Sequence, residues 1–299
     1  MVSVATNGET TAATVSGETD PKTFTSAPVK TYMEDIDAYG VMWHVNYLQA
    51  YDRALYLTLP PARTIADAIN VLDYPDWSIV RVNTQRFKAA LRLGDEYVVS
   101  GELQSRDGDV EDVWSLIMYK ADDPSVVYNT ATVTVARPQD DPQAMFPNPE
   151  TFDVKTVGSY NYQTYRDEFA AHLASHISLT SAMNIMERSR TNQLGGPDLL
   201  LKMKEEDGVV WYVVSVEDLC LVRMDTPCVP GQQVASELGV VAKRRGMILD
   251  IHHTLVLPTA DGGVARIAQG KVSIMAVNEK LGKPTANIPK WCLEKLGLA

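Results

Sequence analysis

The 299-residue chain is long enough for one large domain or two of about 150 residues each. Its 45% apolar and 22% charged residues are a globular balance, and its net charge of −11 argues against a general nucleic-acid binder, because no surplus of cations exists to displace phosphate counterions. Cys220, Cys228 and Cys292 are too irregularly spaced for a disulfide framework or a metal-type pair, and no run approaches the ~18 apolar residues of a membrane span.

The first 28 residues, rich in Thr, Ser, Ala, Gly and Glu, lack the basic start and apolar block of a secretory signal. They predict a disordered leader and, with the sparse cysteines, a cytoplasmic protein. Residues 29–33 look extended and lead into an acidic turn holding Glu34, Asp35 and Asp37 ahead of Gly40. Helix signals begin near His44, where Val41, Val45, Leu48, Tyr51 and Leu55 recur at three- and four-residue steps until Pro60 and Pro61 stop the pattern. Four strand-like segments follow, WSIVRVNTQRF, EYVVSGELQS, VWSLIMYKA and VVYNTATVTVA, separated by turn signals. A Pro- and Asp-rich stretch marks a linker placed at 141–155.

The same order then recurs. A lead-in around residues 162–168 precedes SLTSAMNIMERSRTNQLGG, a helix that Gly195, Gly196 and Pro197 should end. Four more strand-like segments follow, VVWYVVSVEDLCLVRM, QQVASELGVVAKR, MILDIHHTLVLP and ARIAQGKVSIMAV. Asp52-Arg53 and Glu187-Arg188, like the turn glycines Gly94 and Gly231, lie about 135 residues apart. This period is that of a duplicated domain, with boundaries at 29–140 and 156–299. Each copy reads as one helix and an antiparallel sheet, an α+β architecture.

Acidic residues ahead of a helix are favoured by its dipole, and Asp is a common cap. The complete pattern EDIDAYGVMWHVNY says more. Asp37, Gly40, Val41, Trp43, His44, Asn46 and Tyr47, followed by YDRA, match in order and spacing the signature of the 4-hydroxybenzoyl-CoA thioesterase type of the hotdog-fold superfamily. Downstream, RFKAALRLGDEYVV resembles that family's strand, loop and Gly-Asp turn, so the likeness covers about residues 29–138. The second half carries it in MERSR, Pro230-Gly231 and the closing GKVSIMAVNEKLGKPTANIP. The resemblance implies a long central helix wrapped by a curved antiparallel sheet, working in pairs. The duplication then implies a double hotdog, itself open to homo-oligomerisation.

It also implies an acyl-CoA or acyl-carrier-protein thioesterase without a cofactor. Helix-start amides lack internal partners and sit at the positive end of the dipole. By analogy the His44 amide would hold the thioester oxyanion, Asp37 would act as base or nucleophile, and Gly40 would give the turn its backbone freedom. Val41, Trp43, Asn46 and Tyr47 would line the substrate site, with Tyr51 and Trp77 as further aromatic candidates. Arg86, Lys88 and the Lys243-Arg244-Arg245 run, with Arg81, are candidates for the CoA phosphates. The His44 ring, Glu34 and Asp35 read as structural or solvated. In the second copy the Asp37 slot falls on Ala170 or His172, neither a carboxylate, which leaves one working site per chain. His172 and His176 have metal-ligand spacing but no third ligand, so no metal is expected. His252 and His253 read as structural. Two rival readings remain: dehydration or cyclisation of a thioester-bound, polyketide-like substrate, and acyl binding without turnover.

Overall fold

The computed structural model describes residues 22–58, 78–107, 111–136, 146–169, 176–224, 228–259 and 262–298. Trp77, Pro60, Pro61, Ala170, His172, most of the leader and residues 141–145 of the linker lie outside them.

The apolar stripe from Val45 to Leu55 becomes α1 (His44–Thr58). The alternating segments become β3 (Ser78–Phe87), β4 (Glu96–Asp107), β5 (Glu111–Lys120) and β6 (Asp123–Ala136). After β7 (Thr156–Gln163), the second stripe forms α2 (Leu179–Gln193), followed by β8 (Val209–Leu221), β9 (Gln233–Lys243), β10 (Ile248–Pro258) and β11 (Val264–Asn278). The strands alternate buried and exposed positions, most cleanly along β5, so one face seats the helices. Each main helix has 15 residues, about 22 Å.

All these strands join one antiparallel sheet in the order β4-β5-β6-β3-β8-β11-β10-β9-β7. Each half therefore contributes the same local order, and β3 meets β8 at the seam, where Val82 pairs with Leu219 and Gln85 with Val216. A single apolar core runs through both halves, with Leu48, Tyr51, Trp114, Met183, Met186 and Ile251 among its members. Burying each such side chain contributes about 1.5–3 kcal/mol. The core also holds a polar group under α1: the Tyr51 hydroxyl and the Gln85 amide both donate to Asn129 Oδ1, at 2.8 and 3.2 Å. Tyr51 thus serves the core.

The leader is shorter than expected. Residues 23–25 form β1 (Thr23–Thr25), paired with β4, and β2 (Val29–Lys30) pairs further along the same strand. Phe24 packs on Trp114 with ring centroids 5.6 Å apart. Gly101 makes room for it: a Cβ there would lie 2.2 Å from the Phe24 ring and 2.8 Å from Leu116. Elements absent from the sequence reading are α3 (Pro197–Lys202), the π-helical turn Met203–Asp207, β12 (Lys283–Pro284) and α4 (Lys290–Lys295). Among the described residues no helix is long and apolar enough to cross a membrane.

Gly101→Ala is expected to destabilise the protein by about 1–3 kcal/mol through overpacking. The cost should shrink when Phe24→Ala is present, as a thermal-denaturation double-mutant cycle would show. Equal costs in both backgrounds would mean that Phe24 does not dock there.

Candidate functional site

The acidic turn is built by its own side chains. Asp35 Oδ2 accepts from the Tyr32 amide at 2.9 Å and closes the 3-10 turn Met33–Asp35, while Glu34 stays exposed. An antiparallel bridge between Ile36 and Met42 then pinches residues 37–41 into a loop. Within it the Asp37 backbone accepts from the Gly40 amide at 3.0 Å and donates to Val41 at 2.8 Å. Gly40 has φ of 76°, which a side chain would strain. The Asp37 carboxylate faces inward, and its Oδ1 accepts from the amides of Tyr39 (2.8 Å) and Val41 (3.3 Å). Burial raises its pKa from the ordinary carboxylate value, against the opposing pull of those two amides and of Lys204.

The loop delivers the chain directly into α1. The Trp43 amide donates to Asp35 O at 2.8 Å and the Asn46 amide to Trp43 O at 2.8 Å. Among the described residues no side chain caps this helix start, and the His44 amide has no acceptor.

The second half repeats this scaffold. Glu168 Oε2 accepts from the Tyr165 amide at 2.8 Å, Phe169 bridges Ile177, and the Ser178 amide donates to Glu168 O at 2.9 Å. Ser178 thus stands where Trp43 stands, and its hydroxyl caps α2 by accepting from the Ser181 amide at 3.0 Å. At both helix starts the first amide, that of His44 in α1 and of Leu179 in α2, has no acceptor among the described residues, while the third is answered, by Trp43 O in α1 and by the Ser178 hydroxyl in α2.

Beside the start of α1 lies a cavity of about 750 Å³. Asp37, Val41, Trp43, His44 and Tyr47 line it on one side, with Phe87 and Lys88 from the end of β3. The other wall comes from the second half: Glu187 and Arg190 on α2, Leu200 on α3, Trp211 on β8 and Ile274 on β11. Tyr47 is buried with its ring edge-on to Phe87 at 5.2 Å.

The His44 ring is buried in this wall and its Nε2 lies 3.3 Å from Glu187 Oε2. Burial, then the nearby Arg190 and His253, hold the imidazole well below its usual range. Glu187 also pairs with Arg190 and accepts from Thr191 Oγ1 at 3.1 Å.

Asn46, a candidate for orienting a loop or touching the substrate, is absent from the cavity wall, and its side-chain amide donates to the carbonyls of Asp35 (3.2 Å) and Glu34 (3.5 Å), tying the turn to the helix. The expected phosphate contacts separate in the same way. Lys88 is exposed on the cavity wall, joined there by Arg92, which the sequence reading passed over. Arg86 is paired with Glu217, and Arg81 with Asp218 at 3.1 Å. Lys243 pairs with Asp250, and Arg244 and Arg245 form the β9–β10 turn with positive φ; none of the three lines the cavity. His176 is buried, with Nε2 3.0 Å from Val222 O, and its ring stacks near Phe146.

Tyr39, Glu187 and Arg190 were missed as site residues. One signal existed: Met183, Met186 and Arg190 recur at three- and four-residue steps, which puts a charge on the apolar stripe of α2.

No family model matches the sequence, and no curated protein matches it. Solved structures do. A protein assigned as an oleoyl thioesterase from Lactobacillus plantarum aligns with a TM-score of 0.60 at 10% identity, over 85% of this chain and 96% of that one. The 12:0-ACP thioesterase of Umbellularia californica gives 0.59 at 10% identity, over 86% and 95%. An acyl-ACP thioesterase from Bacteroides thetaiotaomicron VPI-5482 gives 0.57 at 9% identity, over 85% and 98%. At such distances the likeness speaks for architecture, and that architecture is the hotdog-like fold of the acyl thioesterases.

Proposed function

We propose that this chain hydrolyses an acyl-CoA or acyl-carrier-protein thioester to free acid and thiol, at one site per chain. The observation that carries the reading is the meeting of Asp37 and the uncapped start of α1 at one cavity wall. Hydrolysis needs a group that activates water and a donor for the oxyanion. Asp37 supplies the first. Two backbone amides fix its Oδ1, and no described residue bonds Oδ2, which is left to take the proton of an attacking water. The His44 amide supplies the second at the positive end of the helix dipole. The carbonyl carbon then sits between them, and collapse of the tetrahedral intermediate expels the thiol, which recovers the proton from Asp37.

The repeated element order and the repeated Tyr-to-carboxylate turn support a double hotdog of two units, about residues 22–140 and 156–299, with α1 and α2 as the helices that the sheet encloses. Only the first unit has a carboxylate, Asp37, in the loop between that turn and the helix start, and the second walls the cavity. Lys88 and Arg92, exposed and without ion pairs among the described residues, are the cations best placed for the phosphates of CoA or of a carrier arm.

Asp37→Asn keeps an acceptor for the Tyr39 and Val41 amides, so the turn should survive while thiol release falls about a hundredfold or more. A folded variant with near-normal turnover would end the reading. Products lacking water or rearranged, in place of free acid and thiol, would favour the non-hydrolytic alternative.

The acid limb of kcat/KM should follow the ionisation of Asp37. The base works deprotonated and burial raises its pKa, so activity should fade with falling pH at a midpoint above the ~3.9 of a free Asp. A profile flat to below pH 4 would contradict this.

Replacing Lys88 and Arg92 together by Ala should raise KM for an acyl-CoA about tenfold with little change in kcat, and should weaken its salt dependence. Acyl-pantetheine, which lacks the nucleotide phosphates, should show no such change in a parallel assay.

A further inference from the structure

The cavity wall carries hydrogen-bonding atoms that the proposed chemistry does not use. Nη1 of Arg190 and the hydroxyl of Tyr39 are buried and have no partner among the described residues. Arg190 is 7% exposed, and its Nη2 is engaged by Glu187. Glu187 is in turn held by His44 and Thr191, so its carboxylate is already occupied from three sides. A guanidinium offers five N–H donors in a fixed fork, and one left without an acceptor in an apolar wall is costly. Leu194, Trp211 and Ile274 provide that apolar wall.

Packing alone does not call for this residue. The paired turns place Ser178 opposite Trp43 in the repeat, so Arg190 corresponds to Leu55 of α1, which is 2% exposed in the core. One copy fills the position with a hydrocarbon, and the other presents a charge to the cavity. Tyr39 lines the same cavity as Asp37 and Arg190 and lies within electrostatic reach of both.

The charges inside select the kind of acceptor. Among the wall's charged side chains that are not exposed, Asp37 and Glu187 outnumber Arg190, while Lys88, Arg92 and Glu279 on the same wall are exposed; burial holds the His44 ring well below its usual range. A carboxylate on the acyl group would add another negative charge to this space. A neutral carbonyl oxygen would not, and its two lone pairs suit one N–H and one O–H donor.

We propose that Arg190 and Tyr39 form a specificity-determining pair that binds a ketone oxygen in the acyl chain, making oxoacyl thioesters the preferred substrates over plain alkyl ones. This rests on the reading of the cavity as a thioester site. Polar recognition of this kind discriminates far more sharply than an apolar pocket, because the analogue lacking the oxygen leaves buried donors unpaired.

The test separates binding from turnover. In the Asp37→Asn background, calorimetry would measure octanoyl-CoA, its 3-oxo, 5-oxo and 7-oxo forms, and the 7-carboxyheptanoyl thioester. At least one oxo form should bind about tenfold or more tightly than octanoyl-CoA, and Arg190→Met or Tyr39→Phe should bring that ratio to about twofold or less. If Arg190→Met fails to fold, Tyr39→Phe decides. Octanoyl-CoA binding as tightly as every oxo form, a preference that survives the substitutions, or tightest binding of the carboxylate would each overturn the pair. Thiol release by the unsubstituted protein is followed alongside. Its absence with all five thioesters would sink the hydrolase reading, while the binding ratios still judge the pair.

Discussion

The site depends on one interaction, the grip of the Tyr39 and Val41 amides on the Asp37 carboxylate. Those two hydrogen bonds and the Gly40 turn fold the chain back on itself, so that a carboxylate and a helix start seven residues later face the same space. Without them Asp37 would be one more acidic residue ahead of a helix, free to cap it or to face water. Burial works against its charge and the two amides work for it, which leaves the carboxylate fixed in place and more basic than in solution.

The second half makes the same turn with a different outcome. The capping carboxylate persists as Glu168, the bridge persists as Phe169 with Ile177, and the Ser178 hydroxyl answers the Ser181 amide, but the sequence has Ala170 or His172 where the first half has Asp37. Without a carboxylate in that slot, the start of α2 has no counterpart to Asp37. The contribution of α2 lies further along, where Glu187 and Arg190 wall the cavity opened by the first half. The first half holds the Asp37 turn, and the second half supplies much of the cavity wall that faces it.

Much of the fold was legible because period decides it. The stripe from Val45 to Leu55 and the alternating segments after it appear as helix and strands within a few residues of where the pattern placed them. Short elements escaped for equally physical reasons. Three residues of β1 carry too little pattern, and pairing with β4 and the contact of Phe24 with Trp114, both distant in sequence, fix them. The Gly195-Gly196-Pro197 stop ends α2 as read, but Pro197 also opens α3, at whose first turn a missing N–H costs nothing. At the site, local chemistry was legible and tertiary chemistry was not. The position of Asp37 against the helix start follows from local spacing. That Asn46 would turn back to the carbonyls of Glu34 and Asp35, or that Arg190 would cross to the cavity beside Asp37, depends on how two halves far apart in sequence come together.

The most direct test is a crystal structure with an acyl-CoA analogue whose thioester sulfur is replaced by a methylene, leaving a ketone that cannot be hydrolysed. The account predicts its carbonyl oxygen within about 3 Å of the His44 amide, and the Asp37 carboxylate facing the same carbon directly or through one water. A ketone bound elsewhere, or one reached by neither group, would contradict it.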